Sequence, residues 1–414
     1  MVPVRRQKKA IEWLYNSDKP ALQLIAGAGS GKTGTIIEAA ALAAKRYTSA
    51  SKIGMVTFTR KAAAEMKERL VSRGIVGVYT GTMHSLAFRL ASRSGLIRGT
   101  LLENDFELKQ QVLRDLCPEF SHIPAEIVLG GKILSEQDVR RFNEEYQVRK
   151  KNLQQFDFDD LIMKVAHCPP EQPPFEVLFV DEFQDTSPDQ VEFIKALNAK
   201  RVICVGDDWQ SIYKFRGADV RVSLNFNHAF PRYDKLFLTE NFRSQKRIVK
   251  LGNKAIRLSS QYVKKRLTSH FKAADKPALF IQRLNREADL AEILQNYYKK
   301  IEKERKRRTI ETGITFLVRT NYILQKLKPF LRSSDTILTI HSAKGLEFEQ
   351  VTVFGIAEHI LPHRWGDEDE ETRLLYVAIT RARQKLHFVA WAEIRSNSRF
   401  LPFLAKECKT FYLN

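Results

Sequence analysis

The sequence predicts an α/β protein of two domains with parallel sheets and a small helical insertion in the first. Three observations predict it. The chain has 414 residues, too many for one ordinary core. Short apolar runs alternate with helical segments through both ends of the sequence, the pattern of strands joined by helical crossovers. Between about residues 85 and 172 that alternation stops and helical spacing takes over.

Taken in order, "ALQLIA" (21–26) reads as a strand that runs into a glycine-rich loop and then the alanine-rich helix "GTIIEAAALAAKRY" (34–47). "KIGMVTFT" (52–59) is the next strand, and "RKAAAEMKERLVSRG" (60–74) a helix stopped by Gly74. The insertion carries "FELKQQVLRDL" (106–116) and "SEQDVRRFNEEYQVRKKNLQQF" (135–156), both with helical apolar spacing. Strands resume at "FEVLFV" (175–180), "KRVICVGD" (200–207) and "DKLFLT" (234–239). They continue at "ITFLVRT" (314–320), "TILTIH" (336–341), "QVTVFGI" (350–356) and "KLHFVA" (385–390). Residues 285–310 read as an amphipathic helix whose "KERKRR" run either touches phosphates or is a solvated face. No internal repeat and no low-complexity linker is visible in the sequence.

The chain carries 68 Lys+Arg against 48 Asp+Glu, a net charge of +20. Such an excess favours a polyanionic partner, nucleic acid first, over a cationic surface kept for solubility or for an anionic membrane. Hydrophobic residues make up 43%, which excludes wholesale disorder. No apolar stretch approaches the roughly 20 residues of a membrane span, so no membrane partner is expected. The N-terminal "MVPVRRQKKAIEW" lacks an apolar core, so no secretory signal is expected either. Cys117, Cys168, Cys204 and Cys408 form no CxxC pair, which argues against zinc and disulfide frameworks and suits a reducing cytoplasm.

Chemistry concentrates in two places. "AGAGSGKT" (Ala26, Gly27, Ala28, Gly29, Ser30, Gly31, Lys32, Thr33) lies between a strand and a helix. Its glycines let backbone N–H groups wrap phosphate oxygens, and the helix N-terminus adds a favourable dipole. In such a loop Lys32 reaches the β- and γ-phosphates of ATP and Thr33 ligates Mg²⁺. "VLFVDEFQDTS" (177–187) is an apolar run ending in two acids. In a nucleotidase with this loop, a second strand brings an acid to the Mg²⁺ shell. Asp181 fits that role, and Glu182 beside it can orient or deprotonate the attacking water. The alternative is that these acids cap the next helix, a task that Asp185 or Ser187 can also perform.

"VDEFQDTSPDQ" (180–190) together with "VGDDWQSIYKFRGAD" (205–219) resembles the UvrD/Rep/PcrA group of superfamily-one DNA helicases, with some helicase IV-like features. Further blocks follow the same order: "TFTRKAAAEMKERL" (57–70), "GTMHSLAFRL" (81–90), "FDFDDLI" (156–162) and "LTENFRSQKRIV" (238–249). "TIHSAKGLEFEQVTV" (339–353) and "EETRLLYVAITRARQKL" (370–386) complete the set. The resemblance implies two RecA-like domains: 1–84 with 173–234 as the first, 85–172 as its insertion, and 235–414 as the second. It also implies an ATP-dependent 3′→5′ motor on single-stranded DNA and on single-strand/duplex junctions, monomeric when free.

Site residues carry over position by position. Gln7 matches an adenine reader and Phe242 the ring that stacks on that base. Gln210 matches a γ-phosphate sensor, Arg243 and Arg381 the arginines that approach the γ-phosphate, and Glu347 a ribose holder. Phe58, Thr59, His84, Tyr213, Phe215, Arg216 and His341 match the strand-binding face, where aromatic stacking and cationic phosphate tracking hold single strands. Only residues 322–338 separate Asn321 from Thr339, too few for the second insertion of large relatives. That shortness leaves open a translocase that needs a replication or repair partner protein to unwind. A third reading is a nucleic-acid switch that hydrolyses ATP only as a timer, against which the intact set Lys32, Asp181, Glu182, Gln210, Arg243 and Arg381 argues. The acids of "GDEDEE" (366–371) are usual before the last block and are read as no metal site.

Overall fold

The computed structural model describes residues 4–130, 133–272, 275–284, 289–305, 313–393 and 398–413. The chain divides into two compact units, 1–27 with 31–238 and 28–30 with 239–414. Each is built on a six-stranded sheet in which every pairing is parallel.

In the first unit the strands are β1 (Ala21–Ala26), β2 (Ile53–Thr57), β3 (Tyr79–Thr82), the short pair β4 (Thr100–Leu101) and β5 (Gln155–Phe156), then β6 (Val177–Val180), β7 (Arg201–Gly206) and β8 (Tyr233–Leu238). The sheet order is β3-β2-β6-β7-β1-β8. Successive side chains of a strand point to opposite faces, and here both faces are covered. Val177 and Phe179 of β6 join one core with Leu22, Met55, Ile37 and Val205. Leu178 and Val180 join the other with Val56, Leu90, Leu161 and Phe193. β8 pairs with β1 along its whole length, so the first unit runs to Leu238.

The second unit holds β9 (Glu240–Asn241) paired with β10 (Thr268–Ser269), then β11 (Ala278–Leu284), β12 (Thr315–Val318), β13 (Thr336–Thr339), β14 (Phe348–Ile356), β15 (Ala382–Glu393) and β16 (Lys409–Leu413). Its sheet order is β13-β12-β14-β15-β11-β16. Taking the six strands of each sheet in chain order, both read third, second, fourth, fifth, first, sixth. The fold is therefore duplicated where the sequence carries no visible repeat. This is the α/β architecture with two parallel sheets that the strand–helix alternation predicts.

The stretch between β3 and β6 is largely helical, with helices Met83–Arg93, Phe106–Leu116, Ala125–Gly130, Glu136–Asn152 and Phe158–His167. The helix expected over 285–310 is observed over Leu290–Arg305, and the end of its basic run, 306–308, lies outside the described residues. Among the described residues no helix is long and apolar enough to cross a membrane.

Candidate nucleotide and strand site

The first sheet places the two chemical loops. β7 is paired on one side with β1 and on the other with β6, all parallel. Neighbouring strands lie about 4.8 Å apart, so the carboxyl ends of β1 and β6 are held about 10 Å apart with the end of β7 between them. Ligands of open α/β sheets bind at such carboxyl ends.

β1 ends at Ala26 and the loop 27–31 follows, with Gly29 at φ +66° and Gly31 at φ +78°. The helix Lys32–Arg46 starts directly after, with Gly31 as its left-handed cap. Any side chain on Gly31 would meet the Gln7 amide, whose nitrogen lies 2.8 Å from the Cβ position. Gln7 is buried, and its Oε1 accepts from the Val4 N–H at 3.0 Å. The adenine-reader candidate thus sits against the phosphate loop. The loop tip belongs with the second unit: Asn241 Nδ2 donates to Ala28 O at 2.7 Å, and Phe242 N to Gly29 O at 2.8 Å.

At the end of β6, Asp181 is buried and accepts hydrogen bonds from the Glu182 N–H at 3.0 Å and from the Thr33 hydroxyl. Burial first, then the Glu182 carboxylate, pushes its carboxyl up to about 7, against the opposing pull of Lys32. Thr33 and Asp181 form a hard oxygen pair that fits Mg²⁺, and a cation there would reverse the shift. Lys32 Nζ donates to Glu182 Oε2 at 3.2 Å. Burial disfavours the Lys32 charge, but Glu182, Asp207 and Asp181 outweigh it and hold its pKa above the ordinary value. Glu182 has φ +53°, a left-handed backbone uncommon outside glycine, and that turn leads from the strand into the 3-10 turn Phe183–Asp185. Ser187, not either acid, caps the next helix Pro188–Ala196, accepting from Gln190 N at 3.2 Å. The capping alternative for Asp181 and Glu182 therefore falls.

At the end of β7, Gln210 is buried and its Nε2 donates to Asp207 Oδ2 at 2.6 Å. The chain then presents the strand-face candidates. Phe58 stacks on Tyr213 with centroids 5.2 Å apart and planes 9° from parallel. Phe215 meets Tyr213 edge-on at 6.0 Å, and the Arg216 guanidinium lies 5.4 Å from both rings. The three rings are half-buried and Arg216 is exposed, so none is a core residue. Thr59 is exposed and its hydroxyl caps the helix Arg60–Val71, accepting from Ala62 N at 3.1 Å. His84 packs on Phe158 at 5.1 Å, and burial lowers its pKa against an opposing pull from Asp157.

A cavity of about 220 Å³ joins these groups, lined by Thr57, Phe58, His84, Asp181, Glu182, Asp185, Thr186 and Arg216 among others. The buried Thr57 and Thr186 hydroxyls and His84 Nε2 on its wall have no hydrogen-bond partner among the described residues. Buried polar groups of this kind are satisfied by water or by a polar guest.

In the second unit Phe242 is half-buried, with its ring 5.4 Å from the exposed His270. Arg243 Nε donates to Glu347 Oε2, and its Nη1 reaches Thr380 O at 3.4 Å. Glu347 also lies 3.7 Å from Arg383 Nη1. Arg381 is buried, donating to Val377 O at 3.1 Å and Leu346 O at 3.0 Å. His341 is half-buried just after β13. The acids before the last block serve the helix Glu368–Thr380: Asp367 caps it, and the buried Glu371 pairs with Arg319 at 2.7 Å.

Two groups escaped the sequence reading. Gln184 is fully buried between the ends of β6 and β7. Lys150 is 1% exposed and bonds Asp157 at 2.5 Å and Asp160 at 2.8 Å, giving the "FDFDDLI" block a structural task. Both signals are polar residues in apolar surroundings, visible in sequence only once burial is known.

A phosphate loop and a paired acid on the carboxyl ends of a parallel sheet, in a chain that carries a second sheet of the same strand order, define a P-loop nucleotidase with two RecA-like domains. Comparison with known proteins narrows the class. A model of the UvrD/Rep helicase N-terminal domain matches residues 5–113 and 108–231, and one of the UvrD-like helicase C-terminal domain matches 332–393. The chain belongs to the UvrD/Rep helicase family. It is similar to a probable DNA helicase of Mycoplasma pneumoniae, 28% identical over 92% of this chain and 83% of that one. The ATP-dependent DNA helicase PcrA of Bacillus subtilis is 33% identical over 62% of this chain, and the putative ATP-dependent DNA helicase YjcD of the same organism 30% over 63%. The matches span only 40% of PcrA and 39% of YjcD.

Proposed function

We propose that the chain is an ATP-dependent DNA helicase or translocase that moves 3′→5′ on single-stranded DNA. The observation that carries the ATP-driven motor is the cluster of Lys32, Thr33, Asp181 and Glu182 at the ends of β1 and β6, next to a half-buried aromatic and cationic face; the polarity rests on the family resemblance. Lys32 binds the terminal phosphates of ATP. Thr33 and Asp181 hold Mg²⁺, which when bound supplies positive charge to the phosphates. Glu182 orients the attacking water and accepts its proton, and Gln210 senses the γ-phosphate. Arg243 and Arg381 add charge at the γ-phosphate, as phosphoryl transfer requires. Gln7 and Phe242 take the base and Glu347 the ribose. Phe58, Tyr213 and Phe215 stack bases while Thr59, His84, Arg216 and His341 track the strand.

A second reading, a translocase that unwinds only with a replication or repair partner, is favoured by one observation. The link from β12 to β13 holds only the helix Asn321–Leu327 and the turn Lys328–Phe330, with no room for a further domain. The direct test of the nucleotide assignment is Lys32→Ala. We expect it to abolish ATP hydrolysis while single-strand binding persists; hydrolysis at the wild-type rate would remove the assignment.

A further inference from the structure

We propose that Gln184 is a positioning residue that holds Glu182 and ties it to the strand-facing segment 211–216, an inference that rests on the assignment of Glu182 to the attacking water. Gln184 lies in the 3-10 turn Phe183–Asp185 and is fully buried. Its Nε2 donates to Glu182 Oε2 at 2.6 Å and to Asp185 Oδ2 at 3.1 Å. Its Oε1 accepts from the Asp207 N–H at 2.8 Å, and its backbone oxygen from the Ser211 hydroxyl at 2.9 Å. Both amide hydrogens and the amide oxygen are thereby engaged. One end of the side chain belongs to the acids after β6, the other to the turn after β7.

The close approach is built in. A Cβ on Gly206, the last residue of β7, would lie 2.7 Å from Gln184 Oε1 and 3.0 Å from its backbone nitrogen. Ser211 then opens the segment that carries Tyr213, Phe215 and Arg216, whose rings and guanidinium pack on one another. Any shift of that segment on seating a DNA strand acts on Ser211 and Asp207, and both are bonded to Gln184. The same side chain donates to the oxygen of Glu182 that Lys32 also holds. Strand occupancy is therefore read at Glu182 through one buried amide, without passing through the phosphates.

Gln184→Met keeps the volume and removes the amide, and Gly206→Ala displaces the amide without altering it. Hydrolysis of ATP is measured for both and for wild type, with and without an oligo(dT) strand, alongside oligo(dT) affinity. We expect the ratio of stimulated to unstimulated kcat to fall about tenfold in both variants, with KM for ATP and strand affinity within about twofold of wild type. Ser211→Ala, which removes one hydroxyl contact, decides the matter where a larger change prevents folding. A wild-type ratio in the variants, or equal losses with and without the strand, would overturn the relay and leave the motor reading standing. A wild-type chain that oligo(dT) does not stimulate would overturn both.

Discussion

Asp181 is the residue where burial and chemistry conflict most. Its carboxyl is raised from 3.8 to about 7 by burial and by Glu182. Between those limits the folded chain binds the proton more tightly than the unfolded chain, so stability falls as pH rises through that window. We expect the metal-free protein to melt lower at pH 8 than at pH 5, and Asp181→Asn to flatten that difference in a thermal unfolding series. Added Mg²⁺ should flatten it too, because a cation favours the ionised form. A slope unchanged by the substitution would move the cause elsewhere. The left-handed backbone of Glu182 belongs to the same site: such a conformation costs on the order of 1–3 kcal/mol and persists only where its surroundings hold it. Nothing in "VDEFQDTS" announces that torsion.

The elements that carry long apolar runs were the readable ones. β1, β2, β6 and β7 all lie inside predicted runs, because strands buried on both faces read as continuous hydrophobic stretches. β3, β11 and β16 were not singled out. β3 is four residues with a glycine at its centre, β11 carries Gln282 and Arg283, and β16 is an edge strand in which only Leu413 is buried. The phosphate loop was legible because strand, glycines, lysine and helix follow one another in sequence. Gln184 is not, because two of its partners, Asp207 and Ser211, lie on another strand end more than twenty residues on. The Lys150 node joins two successive helices and shows only once they are packed: the helix Glu136–Asn152 supplies the cation, and the capping residues of Phe158–His167 the acids. Removing one partner of a buried pair strands the other charge. Lys150→Met should therefore cost on the order of 3 kcal/mol in urea unfolding, and adding Asp157→Asn should recover part of it. A loss within experimental error would make the node dispensable.

On the scale of the whole molecule, the same strand order occurs twice in a chain whose sequence shows no repeat. A sheet order is fixed by which strands pair, and many side-chain sets satisfy the same pairing, so duplication outlives sequence likeness. The net charge of +20 suits a polyanionic strand, and affinity for DNA should fall steeply as salt rises. An ATP-driven motor on single-stranded DNA is tested on paired duplexes with 3′ or 5′ single-stranded tails, with ATP hydrolysis followed in parallel. Strand-stimulated hydrolysis and separation of the 3′-tailed duplex alone are expected. Hydrolysis indifferent to the strand, or separation of the 5′-tailed duplex alone, would contradict that expectation.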